Sequence, residues 1–315
     1  MGSEMCIRDS DYPIKRGLIE QWFADDTELT EAQANTFDEE LELSLKQFQA
    51  RHGQEADGKA GRITRRLLNT PPSYRIKQIA LNMKRWRELP KDLGDRYIWV
   101  NMTNYRLQLI NRGITEMDMK VIIGKSRRKT PVMQQSISTV VLNPYWNVPR
   151  RITVVDILPK ARKDLNYLKE RNINVYENWT STEPVPLESI DWANMNRRNF
   201  PYRMRQDPGE NNALGEVKFV IPNDESIYLH DTSNPELFDL DKRALSSGCV
   251  RVEKPMALAR AILKGSRWTD EKIQETLDSG KTRYLRVKDK IPTYLFYATA
   301  WVDDNGNIQF RDDIY

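Results

Sequence analysis

The sequence predicts an α+β protein: a small all-helical domain, a linker helix, and a β-sandwich domain with an inserted helical subdomain. Three observations carry that prediction. From about residue 30 to residue 90 the apolar side chains recur every three or four positions, the period of a helix face. Beyond them, apolar and polar residues alternate, the period of a strand with one buried face. Between 150 and 208 the alternation breaks and later returns. An unstructured loop of that length is uncommon in a compact domain, so the break reads as a helical insertion.

Residues 1–29 are set apart, because Met1-Gly2-Ser3 reads as a tag remnant and the stretch around Cys6 as a scar. Over 30–70, Leu41, Leu45 and Phe48 are spaced i, i+4, i+7 on one helical face, and Gly53 is placed to end that helix. His52, at its last turn, is expected to be solvated. An Asp57-Gly58 turn leads into a second helix with Ile63 and Leu67 facing inward. Over 71–92, Ile76, Ile79, Met83 and Trp86 predict an amphipathic linker helix ending near Pro90.

Residues 93–315 read as the sandwich domain. Ile98, Val100 and Met102 alternate with polar or outward positions, as do Met117, Met119, Val121 and Ile123, and 138–143, 217–221 and 227–230 continue the strands. In the insertion, Leu158, Ala161, Leu165 and Leu168 mark a helix. Further helices are expected over 255–264, with Pro255 near its first position and Gly265 beyond its end, and over 269–279, with Thr269 as N-cap. Strands over 284–287, 293–302 and 308–310 are expected to complete the sandwich.

A chain of 315 residues suggests two or three domains. With 49 basic and 45 acidic residues, the net charge of +4 gives no nucleic-acid signal. The distribution is uneven: 17–45 holds nine acids and no Lys or Arg, whereas Lys125/Arg127/Arg128/Lys129 and Arg197/Arg198/Arg203/Arg205 are basic. Such runs are ordinarily solvated faces, though the basic ones also suit an anionic polymer. No apolar run reaches the roughly 18–20 residues that span a bilayer. No signal peptide is visible either, so an export signal is expected to have been trimmed. One cysteine outside the scar fits an oxidising compartment.

That cysteine is the informative residue. Cys249 lies in Leu245-Ser246-Ser247-Gly248-Cys249-Val250-Arg251-Val252, nineteen residues after His230, in a chain with two cysteines and two histidines. A thiol with an upstream imidazole is the minimal kit for nucleophilic acyl chemistry, with the thiolate as the attacking species. The flanking valines also suit a buried structural cysteine. Against that stand the small Ser, Ser and Gly neighbours, which pack poorly, and Arg251, whose charge favours a thiolate. A serine nucleophile at Ser246 or Ser247 with His230 and Asp231 is the rival, weakened because Asp231 directly follows the histidine. Main-chain N–H groups at Gly248 and Cys249 are candidate oxyanion donors. Arg251 is equally suited to bind a substrate carboxylate or to pair with Asp231 or Glu253. Two separated histidines and one cysteine make no zinc site of usual composition.

The segment from Tyr228-Leu229-His230-Asp231-Thr232 to Ser246-Ser247-Gly248-Cys249-Val250-Arg251-Val252 resembles the signature of the L,D-transpeptidases with a YkuD-type catalytic domain. Gly124-Lys125 to Thr130-Pro131, Asn143-Pro144-Tyr145-Trp146-Asn147-Val148-Pro149, Asn212-Ala213-Leu214-Gly215 and the stretch from Trp301 to Tyr315 are similar to its large periplasmic YcbB-like subgroup. Phe48-Gln49, Gly53, Asp57-Gly58, Gly61, Thr64 and Leu68 resemble a peptidoglycan-binding repeat. Ser247 stands where many members carry histidine.

The resemblance implies that Cys249 attacks a stem peptide, His230 serves as base and acid, and Ser247, Arg251, Tyr228, Asn147 and Trp146 contact substrate. It implies that the insertion 150–208 caps the site. It also implies a periplasmic or envelope location, no cofactor, a monomer, stem-peptide donors and acceptors, and carbapenem β-lactams as inhibitors. The product is expected to be a 3→3 cross-link. An L,D-carboxypeptidase, a lipoprotein-anchoring transpeptidase, a sortase-like enzyme and a non-catalytic wall-binding protein remain open.

Overall fold

The computed structural model describes residues 37–315, so the 1–29 segment and Cys6 lie outside the described residues. Two compact units result. One holds the described residues up to Asp92 together with Tyr297–Ile314, and the other holds Leu93–Phe296 with Tyr315.

The first unit contains α1 (Glu39–Arg51), α2 (Arg62–Leu68) and α3 (Pro72–Arg87). Asp38 starts α1, its carboxylate accepting from Leu41 N at 2.8 Å, and Glu39, Glu40 and Glu42 complement the positive end of the helix. Leu45, Phe48, Leu67 and Leu68 form the core. Ile63, expected inside, is 41% exposed; the inward face of α2 starts at Thr64 instead. Buried Gln49 explains the Asp57-Gly58 turn. Its amide bonds Asp57 Oδ1 at 2.7 Å and its carbonyl accepts from Gly58 N at 2.9 Å.

Two further expectations are corrected here. The strands over 300–310 do not complete the sandwich: Ala300–Val302 and Ile308–Phe310 form a separate two-stranded hairpin in the helical unit. The stripe Ile76, Met83 and Trp86 on α3 is largely exposed. The helix is seated on the hairpin through its polar side, with Gln78 bonding Thr299 O and Arg311 O, and buried Asn82 exchanging bonds with Thr299.

His52 is also not solvated. It is 6% exposed, lies 4.0 Å from the Phe48 ring and 5.6 Å from Phe310, and donates Nδ1–H to Phe48 O. The hairpin that buries it was assigned by sequence to the other domain. Burial holds its pKa down at about 3. The unfolded chain therefore takes up a proton near pH 6.5 that the folded unit refuses. The stability His52 confers is complete above pH 6.5 and is lost as pH falls toward 3. His52→Ala is expected to cost the helical unit about 2 kcal/mol, and to flatten that acid-side loss. Thermal melting from pH 7 to pH 4 checks both; an unchanged profile contradicts them.

The second unit is built on a nine-stranded sheet. Its strands are β1 (Arg96–Asn101), β2 (Arg106–Asn111), β3 (Ile114–Gly124), β4 (Met133–Leu142), β8 (Val217–Val220), β9 (Leu229–His230), β10 (Ala244–Ser246), β11 (Val250–Val252) and β12 (Arg283–Phe296). The order is β10-β3-β11-β9-β8-β4-β12-β1-β2, and β2 pairs back onto β3, so the sheet closes on itself as a flattened sandwich. Its interior holds fully buried Ile98, Val100, Leu107, Leu109, Val121, Ile137, Phe219 and Leu229. Two helices flank it, α4 (Pro255–Leu263) and α5 (Asp270–Asp278), the latter capped by Thr269 as expected.

The insertion has its own core, including Val154, Leu158, Leu168, Val175, Trp192 and Phe200. It is not purely helical. Short helical segments (Arg150–Ile152, a π-turn Thr153–Ile157, Leu158–Ala161 and Asn166–Lys169) pack with a three-stranded sheet. That sheet joins β5 (Trp146–Asn147), β7 (Arg203–Gln206) and β6 (Ile173–Tyr176). Strands so short carry too few residues for period two to be read.

Candidate active site

One row of residues crosses the sheet. Tyr284 on β12 pairs with Val141 on β4, Val141 with Lys218 on β8, Lys218 with His230 on β9, and His230 with Arg251 on β11. Residues directly opposite across strands project from the same face. Tyr228 and Cys249 lie two residues before His230 and Arg251 and so share that face. The sulfur and the imidazole are thus diagonal neighbours on adjacent parallel chains, with a cation on either side of the histidine.

His230 is 5% exposed, and its Nδ1 lies 2.5 Å from the Asp231 carbonyl. A carbonyl only accepts, so Nδ1 carries the proton and Nε2 is left as a base. Burial, then the charges of Arg251 and Lys218, hold the histidine pKa down at about 3. The ring is neutral throughout the physiological range.

Burial pushes the Cys249 thiol up, against the opposing pull of Tyr228 hydrogen bonds and of the Lys218 and Arg251 charges. Tyr228 also meets the His230 ring edge-on at 5.6 Å, and Lys218 Nζ sits 3.9 Å from the Tyr228 ring centre.

The loop around Cys249 is held from beneath. Ser246 Oγ–H donates to Cys249 O at 2.6 Å and accepts from Gly248 N at 3.1 Å. Thr130 Oγ1 donates to Gly248 O and accepts from Gly124 N. A Cβ on Gly124 would lie 2.1 Å from Arg128 O, and Gly248 has φ +127°, so both positions require glycine. The 124–130 motif is the cradle of the cysteine loop. Tyr315 OH completes it, accepting from Thr130 N at 3.0 Å and donating to Gly124 O at 2.8 Å.

This arrangement argues against the serine reading. Ser246 is buried and doubly bonded, and Ser247 Oγ accepts from Arg128, which is itself paired with Asp156. The Asp231 carboxylate turns away from the imidazole to Glu216 N and Thr232 N at 2.8 and 2.7 Å. It lies where a Cβ on Gly215 would stand, which accounts for the Asn212-Ala213-Leu214-Gly215 motif.

The Gly248 N–H, expected to face an oxyanion, here donates to Ser246 Oγ at 3.1 Å. Arg251 pairs with neither Asp231 nor Glu253, the latter accepting from Lys120 N. Its Nη1 reaches Thr232 Oγ1 at 3.4 Å, and its buried Nε has no partner among the described residues.

Two clefts flank this row, separated by the β5–β7 ribbon. Trp146 and its partner Gln206 face a cleft of about 220 Å³ that also contains Arg251, while Asn147 and its partner Arg205 face one of about 410 Å³ that contains Tyr284. Trp146 also acts on Tyr228, which interacts with the cysteine; Asn147 lies on the opposite face of the ribbon. Sequence reasoning missed Lys218. Its only signal was the alternation Val217-Lys218-Phe219-Val220, which puts a lysine on the less buried face of a strand.

Residues 95–272, more than half of the chain, match the YkuD family, the L,D-transpeptidase catalytic domain. The chain belongs to the L,D-transpeptidase family. Residues 23–68 match a family described as "putative peptidoglycan binding domain". A Haemophilus influenzae protein described as a "putative L,D-transpeptidase" is 43% identical over 238 residues, 76% of this chain and 47% of that protein. The chain thus spans about half the length of the curated relative it matches.

Among solved structures, L,D-transpeptidase 3 of Mycobacterium tuberculosis is similar at 11% identity and a TM-score of 0.29, covering 64% of this chain and 61% of its own. An L,D-transpeptidase of Stackebrandtia nassauensis is similar at 12% identity and 0.28, covering 91% and 92%.

A neutral histidine beside a thiol whose pKa is raised makes a testable statement about this L,D-transpeptidase site. The resting pair is thiol and imidazole, not thiolate and imidazolium. Alkylation of Cys249 by iodoacetamide is expected to accelerate about tenfold per pH unit from pH 6 through the ordinary thiol value near 8.5 without levelling. Stopped-flow rates across that range check it; a plateau near neutral pH means an ion pair instead.

Proposed function

We propose that this chain is a cysteine-dependent L,D-transpeptidase that makes 3→3 cross-links between peptidoglycan stem peptides through a thioester acyl-enzyme. The observation that carries the reading is a thiol and a deprotonated imidazole Nε2 on one face of an L,D-transpeptidase catalytic domain. The insertion and the flanking motifs favour the YcbB-like subgroup, and an envelope or periplasmic location follows from such a substrate.

Cys249 Sγ attacks the carbonyl of the third stem residue while its proton passes to His230 Nε2. The C–N bond to the terminal D-alanine breaks, and the departing nitrogen takes that proton. A thioester remains. The side-chain amine of a second stem then attacks the thioester, His230 accepts its proton, and the thiol returns as the new amide forms. The Cys249 N–H is the main-chain donor assigned to the oxyanion. Arg251, with an unpartnered Nε, is suited to a stem carboxylate in the smaller cleft.

Mass spectrometry of products from a defined disaccharide-tetrapeptide tests this. A dimer lacking one D-alanine is the expected product. Accumulation of tripeptide alone identifies a carboxypeptidase, and unchanged substrate refutes both. A carbapenem offers a strained carbonyl in place of the donor and is expected to add one drug mass to the tryptic peptide containing Cys249. An adduct on Ser246 or Ser247, or none on a protein whose Cys249 still alkylates, contradicts the assignment.

A further inference from the structure

The larger cleft has a composition the acyl chemistry does not use. Trp179 and Tyr284 are 72% and 71% exposed and Tyr145 is 38% exposed, an unusual concentration of large rings at the surface. Between them lie two arginines. Arg205 is stacked on Tyr145 at 4.4 Å and Tyr176 at 4.7 Å, and Arg203 lies over Tyr176 at 4.3 Å and Trp179 at 5.6 Å. Arg203 is further tied to the main chain at Asn178 and Ser181, so the Trp179 loop is anchored. Thr180, Ser181, Thr182 and Asn147 line the same cleft.

Flat rings beside fixed donors and hydroxyls suit a pyranose. A sugar ring has an apolar C–H face that stacks on an aromatic ring and an equatorial rim of hydroxyl and amide groups that needs hydrogen bonds. The arginines add affinity for a polymer bearing carboxylates. A purely peptide ligand would use the arginines but leave three separate rings without a reason.

Position points to the same occupant. Tyr284 and His230 are three strands apart on one row, and the strand that follows Cys249 is a fourth, about 19 Å in all at 4.7–4.9 Å per strand. Three extended residues span about 10 Å, and the sugar ring with its linker adds the remainder. A saccharide seated on Tyr284 therefore directs its own stem along the row toward Cys249.

The geometry points to a glycan-binding subsite formed by Trp179, Tyr284 and Tyr145 with Arg203 and Arg205, which holds the sugar of a substrate while its stem peptide reaches Cys249. The subsite as a saccharide site stands on its own residues; its link to the stem rests on the proposed transpeptidation.

Trp179→Ala and Tyr284→Ala remove exposed rings and leave Lys218, His230, Cys249 and Arg251 in place. The probe is a β-1,4-linked N-acetylglucosamine tetramer, added to the intact protein carrying Cys249→Ala so that no turnover intervenes. It is expected to bind with a Kd at least tenfold weaker in either ring variant, and to shield Trp179 from acrylamide quenching. Equal binding in the variants places saccharide recognition elsewhere, as in the helical unit, and overturns the proposal, as does failure to bind at millimolar concentration.

In the active protein, the ring variants are expected to raise KM about tenfold for a disaccharide-tetrapeptide at unchanged kcat. Their KM for the sugar-free tetrapeptide should match that of the parent protein. An equal rise for both substrates overturns the sugar assignment in favour of a peptide site. If the parent protein turns over neither substrate, the transpeptidase reading fails while the binding result still decides the subsite.

Discussion

Cys249→Ala is expected to abolish both cross-linked product and carbapenem adduct, leaving no turnover above the uncatalysed background. Every bond-making step in the proposed reaction runs through this sulfur, and neither neighbouring serine is free to replace it. Ser246 is buried in the loop's own hydrogen bonds, and Ser247 is held outward by Arg128. The substitution removes one polarisable atom and leaves the cradle of Thr130, Gly124 and Gly248 untouched, so the fold is expected to survive. Muropeptide chromatography coupled to intact-protein mass gives the result directly. Product formed by a folded Cys249→Ala protein removes the thioester from the mechanism.

His230→Ala is expected to slow acylation by about 10²- to 10⁴-fold, the usual contribution of a positioned general base. The loss should be larger toward neutral pH, because without the imidazole only the small thiolate fraction reacts. Raising the pH should recover part of the rate in this variant, and added free imidazole should recover some of the rest. His52→Ala offers the control: it is confined to the helical unit, so below its lowered melting temperature kcat should remain within about twofold of the parent. Burst rates with a carbapenem measure both variants. If the two histidine changes affected acylation alike, His230 would be structural.

Several features of the site follow from local sequence. The cysteine and histidine were legible because a chain with two of each leaves few combinations, and because small residues surround the thiol. Glycines 124, 215 and 248 were visible within motifs, although the reasons for them are three different close approaches or backbone angles. The Thr269 cap, the Asp57-Gly58 turn and the long strands were also legible, since caps, turns and period-two patterns involve residues near one another in the chain.

What the sequence by itself determined, then, is the family, the thiol and imidazole of the candidate site and the order of the domains' main elements, all of them carried by short-range pattern. Only the tertiary structure decided which distant residues share a face. Lys218 joins the histidine through strand pairing across a closed sheet. The amide of Gly248 is spent on Ser246, and the hairpin at 300–310 buries His52 instead of extending the sandwich. Each outcome depends on contacts between segments far apart in sequence, where a residue's own periodicity says which side it faces but not what it will meet there. The pKa of His230 shows the same division: its identity makes it a base near neutrality, and burial between two cations lowers it to about 3.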